Sequence, residues 1–109
     1  MTIVEFLEER LGEDEWNAYR GSFPARRDRD RALADIQAKR RIVAGYRNAY
    51  RACTSVVATQ ARASAGGSAK PDAAETDGTL SALWAWREVL KHLASVYSDH
   101  PDYDRAWAP

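Results

Sequence analysis

A chain of 109 residues and 12.2 kDa has the length of one ordinary domain, and with 45% hydrophobic and 29% charged residues it reads as globular rather than disordered. Sixteen basic and sixteen acidic side chains cancel, so no global charge draws it to nucleic acid or anionic lipid, and the single cysteine, Cys53, excludes an internal disulfide and a multi-cysteine zinc site. No apolar run reaches the roughly 20 residues of a membrane span, and Met1-Thr2-Ile3-Val4-Glu5 lacks the basic start of a signal peptide, so a cytoplasmic protein is expected.

The first helix is announced at once. Thr2-x-x-Glu5 reads as a capping box, and Val4, Leu7, Leu11 and Ala18 recur at helical spacing, with Ile3 and Phe6 widening the stripe. Gly12 is a place for a bend, and Gly21-Ser22-Phe23-Pro24 ends the element. A second helix, capped by Asp28 or Asp30, then runs to about residue 62 without a proline. Ile36, Val43, Tyr50 and Val57 are spaced by seven and form one seam along it. That is a long helix for so short a chain; the alternative is two helices meeting near Gly45 or Thr54-Ser55.

Residues 63–78, rich in Gly, Ser, Ala and small polar residues, read as a flexible linker. A third helix is expected from Asp77 or Thr79 to about Tyr97, with Leu83, Trp86, Leu90, Leu93 and Tyr97 on one face. Pro101 suits the start of a closing helical turn in which Tyr103 and Trp107 form an i,i+4 pair docked on the helices. The expectation is one all-α domain over residues 1–109: a bundle of three main helices with a long central helix and a short C-terminal helical turn.

The tail Tyr97-Ser98-Asp99-His100-Pro101-Asp102-Tyr103-Asp104-Arg105-Ala106-Trp107-Ala108-Pro109 resembles the closing signature of a family of small uncharacterised proteins from actinobacteria and their phages. The stretch Arg31-Ala32-Leu33-Ala34-Asp35-Ile36-Gln37-Ala38-Lys39-Arg40-Arg41-Ile42-Val43 resembles that family's middle helix, and Glu13-Asp14-Glu15 its opening helix. Many relatives carry a His-Asp pair before the middle helix and cysteines after it. Here Arg29-Asp30 and the lone Cys53 stand at those places, so no metal site is carried over. The family is a domain of unknown function, and the resemblance implies a fold and a source rather than an activity.

The charge that sums to zero is unevenly placed: −4 over residues 1–20, +7 over 21–62 and −3 over 63–109. Arg29, Arg40, Arg47 and Arg51 share an arc of the second helix, flanked by Lys39, and such a stripe suits phosphate contacts unless the acidic first helix packs beside it. His92 and His100 stand alone, without His-x3-His or Cys-x2-Cys, so neither metal nor cofactor is expected. Cys53 lies on an apolar face and reads as core, and Asp99, Asp102 and Asp104 read as caps. No phosphate-binding loop and no nucleophile elbow occurs, and no enzyme is expected. Trp84, two residues before Trp86, points about 160° away from it, and Trp16 also lies off the stripes.

These features point to a non-enzymatic protein–protein interaction or regulatory module, phage or prophage derived. Its partner surface would comprise Trp84, Trp16, Ile36, Val43, Tyr50 and Val57, and its partner would be another protein or a second copy in a homodimer. The alternative is a nucleic-acid-binding protein using Arg29, Lys39, Arg40, Arg47 and Arg51.

Overall fold

A computed structural model of the chain describes residues 1–23, 25–66 and 73–109. They form three helices, α1 (Ile3–Arg20), α2 (Arg26–Ser64) and α3 (Ala73–Ser95), and a closing 3-10 turn, Arg105–Trp107. No strand occurs among the described residues, and the architecture is the expected all-α bundle with a long central helix.

Thr2 caps α1 by accepting the Glu5 backbone N–H at 3.2 Å, while its hydroxyl donates to the Glu5 carboxylate at 3.1 Å. The helix passes through Gly12 without a break. α2 starts earlier than its acidic residues suggested. Its cap, Ala25, offers no side-chain hydrogen bond, and Asp28 instead lies in the first turn, where its charge suits the helix dipole. α2 is continuous over 39 residues, which removes the two-helix alternative. The hydroxyls of Thr54 and Thr59 donate to the carbonyls of Tyr50 and Ser55, each at 3.0 Å, sharing the helix ladder's acceptors without breaking the helix.

The expected linker at 63–78 loses both ends to helix. α2 reaches Ser64, Gly66 leaves it with φ 90°, and α3 already begins at Ala73. Ala73-Ala74-Glu75 supplies enough helix propensity to carry α3 through Gly78. The flexible segment proposed between them falls on residues 67–72, outside the described residues. At the other end, the closing turn starts at Arg105 rather than Pro101, with Asp104 Oδ1 accepting the Ala106 N–H at 2.9 Å.

α2 and α3 form an antiparallel hairpin, and α1 lies across one face of it. Glu8 of α1 pairs with Arg47 and Glu15 with Arg40, each at 2.5 Å, which fixes α1 antiparallel to α2. At 1.5 Å per residue α1 is about 27 Å long and α2 about 58 Å, so α1 covers only part of the hairpin. The molecule is correspondingly elongated, 63 × 28 × 18 Å. The core lies under α1: Phe6, Leu7, Leu11 and Ala18 meet Ile36 and Val43 of α2 and Leu90 and Ala94 of α3. Phe6 is fully buried and edge-on to Tyr97, His100 and Tyr103, with Trp107 tilted over it at 5.1 Å. The tail is docked, with its rings gathered around Phe6.

Candidate interaction surface

The basic stripe is largely consumed inside the fold. Arg40 and Arg47 hold Glu15 and Glu8, and Lys39 holds Asp35 at 2.7 Å. Arg29 donates to the Gly21 carbonyl at 3.0 Å, with its guanidinium 5.8 Å from the centre of the Phe23 ring. Of the five candidate phosphate contacts, Arg51 is the one that meets no acidic or backbone partner among the described residues, and it is exposed. Two ion pairs, Glu8–Arg47 and Glu15–Arg40, thus join the −4 segment to the +7 segment.

A polar strut joins α1 to the tail. Arg10 is buried, with its guanidinium 5.5 Å from the Phe6 ring centre, against His100 Nε2, and within 3.4 Å of Glu13. Nothing in the apolar sequence pattern singled it out. Its signal was positional, since residue 10 follows Phe6 and Leu7 by four and three and so shares their face. The carboxylates around it, Glu9 and Glu13, are exposed, and the group fastens α1 to the tail. His92 is exposed, whereas His100 is half-buried. Among the described residues no three His, Cys, Asp or Glu side chains gather as metal ligands, and no helix is long and apolar enough to cross a membrane.

Tyr97 completes the strut by donating its phenol to Asp14 Oδ2 at 2.5 Å. Burial first, then the hydrogen bond and negative charge of Asp14, with Asp35 adding and Arg10 opposing, hold this hydroxyl protonated far above its ordinary 10.0. The unfolded chain releases that proton near pH 10 and the folded chain keeps it. The contribution is therefore complete below pH 10 and declines as pH rises beyond it. Urea midpoints followed from pH 8 to about 11 should fall more steeply for the native chain than for Tyr97→Phe. Parallel curves would show that this phenol carries no such linkage.

The seven-residue seam of α2 is divided. Ile36 and Val43 are 4% exposed and lie in the chain's own core, so they are unavailable to a partner, whereas Tyr50 and Val57 are 57% and 55% exposed. The division falls where α1 begins: Thr2 and Val4 adjoin Tyr46, Arg47, Tyr50 and Arg51 around a cleft of about 420 Å³. α3 shows the same break. Leu80, Leu83, Arg87, Leu90, Ala94 and Tyr97 follow in steps of three and four along one stripe. Leu90 and Ala94 are fully buried in the core, Leu83 is half-buried, and Leu80 is 49% exposed. Both stripes that α1 covers therefore continue beyond its amino end as an uncovered face two helices wide. Trp84, 63% exposed, lies one turn from Leu80 at its rim. Trp16 sits elsewhere, on the outer side of α1, with the Arg20 guanidinium 3.9 Å from its ring centre.

No curated protein and no solved structure matches the chain. A family match covers residues 19–109, taking in α2, α3 and the tail and starting after Glu13-Asp14-Glu15. The chain belongs to the Family of unknown function (DUF6221).

Proposed function

We propose that the chain is a non-catalytic protein-interaction module whose contact surface is the distal half of the α2–α3 hairpin. The observation that carries this reading is the division of the seam. Ile36 and Val43 are packed, while Tyr50, Val57 and Leu80, in register with the packed stripes, face solvent together with Trp84. A contiguous apolar face on a small chain marks a binding surface more often than isolated exposed residues do. The pairing of Arg40 and Arg47 speaks against the nucleic-acid reading. The Asp-His-Pro-Asp-Tyr tail supports a source among actinobacteria and their phages, and a free, half-buried Cys53 is compatible with a reducing cytoplasm.

Site-specific photocrosslinking in the native host tests the surface. A crosslinker at position 57, 80 or 84 should give discrete adducts, and one at Ala34 or Arg31, exposed at the other end of the molecule, should not. Equal yields at all five positions would remove the assignment. Val57→Gln and Leu80→Gln should also leave the unfolding midpoint within about 0.5 kcal/mol of the native chain, because these side chains support a contact rather than the fold.

A further inference from the structure

Building on the interaction-module reading, we infer that the partner's contact element is an amphipathic helix with an acidic edge, lying on the distal hairpin as a continuation of α1. The chain already contains one such complex, made in cis. α1 carries six acidic and two basic residues and rests on the hairpin through Leu7 and Leu11 below and the pairs Glu8–Arg47 and Glu15–Arg40 at its edge. The basic row that receives it does not stop at Arg47. It continues through Arg51, four residues beyond Arg47, and Arg62, eleven beyond Arg51, each step close to whole helical turns. α2 has no acidic residue after Asp35. Arg51 and Arg62 meet no carboxylate among the described residues; Arg62 reaches only the Thr59 hydroxyl, at 3.2 Å. Tyr50 adjoins Arg51 at the cleft beside Thr2 and Val4, and Val57 and Leu80 continue the apolar stripes of the core beyond it. A basic edge and an apolar floor thus both extend beyond the amino end of α1. A helix running in the direction of α1 would bring its carboxyl end to the amino end of α1, where opposite ends of two helix dipoles meet.

A second copy fits this face less well. Of the two-fold arrangements that lay one distal face on another, the one placing α2 over α3 sets both α1 helices in the same space. The remaining one lays α2 on α2 and opposes the two arginine rows. A nucleic acid would use the arginines and leave Tyr50, Val57 and Leu80 without a role.

Fluorescence anisotropy of the full chain with a labelled, helix-stapled copy of residues 2–20 as probe tests the inference. Saturable binding is expected. It should weaken about tenfold in Val57→Glu and in the double variant Arg51→Glu, Arg62→Glu, and when the probe's glutamates are replaced by glutamine. Circular dichroism should show each variant as folded as the native chain. Absence of saturable binding overturns the inference, and so does binding indifferent to these substitutions, which would place the probe on the proximal site of α1. Displacement of the probe by a duplex oligonucleotide overturns it in favour of phosphate recognition. A dimer by light scattering that Val57→Glu dissociates overturns it in favour of a second copy. Crosslinks at positions 57 and 80 with a probe that does not bind would retain the interaction module and remove the acidic-helix partner.

Discussion

Phe6→Ala should destabilise the protein by about 4 kcal/mol, a fall in Tm of roughly 20 °C. The ring is fully buried, and it is the common neighbour of Tyr97, His100, Tyr103 and Trp107 as well as the surface over which Arg10 lies. Its removal leaves a cavity that four rigid rings cannot all collapse into, and it uncouples the tail from α1. Two observables should therefore move together: the thermal midpoint, and proteolytic cleavage after Tyr103, which should accelerate. A small change in Tm with an intact tail would show that the rings pack without Phe6.

Gly45→Ala is expected to destabilise by about 2 kcal/mol, against the gain of about 1 kcal/mol that alanine brings to an open helix interior. A Cβ at this position would lie 2.7 Å from both Cζ2 and Cζ3 of Trp86. The indole is flat, and α3 holds it in place, so the new methyl can be accommodated only by moving the ring or parting the helices. The missing side chain lets α2 and α3 approach closely with a tryptophan between them. Trp86→Leu should rescue Gly45→Ala, with the double variant more stable than the single alanine variant. A raised midpoint in Gly45→Ala alone would mean that the ring stands off from α2.

The helices were legible because their apolar periods are strong and few residues interrupt them. Boundaries were not, and the reasons are local. Asp28 looked like a cap but serves in the first turn, and Gly78 looked like a breaker but is carried by the helix formers before it. Gly45 looked like a joint, although it is a contact, because a glycine in sequence does not reveal what stands opposite it. The seam Ile36, Val43, Tyr50, Val57 was visible as a seam. Where its cover ends was not, since that depends on the length of α1 relative to α2 and on where Glu8 and Glu15 find their arginines. Arg10 was missed because charge is a stronger cue to solvent than position is to burial, yet three methylenes of stem and an aromatic ring suffice to bring a guanidinium inside.

The fastening of α1 to the tail around Phe6 has a mechanical side. Arg10 and His100 are ninety positions apart in sequence and in contact in space. Tension applied between α1 and the closing turn would load the Phe6 cluster directly, pulling side chains apart in sequence, while the hairpin of α2 and α3 lay outside the line of force. The clasp would yield first, the pull would then reach Leu7, Leu11 and the pairs Glu8–Arg47 and Glu15–Arg40, and release of α1 would bare Ile36, Val43, Leu90 and Ala94. The apolar face would then double in length without any change in the two helices that bear it.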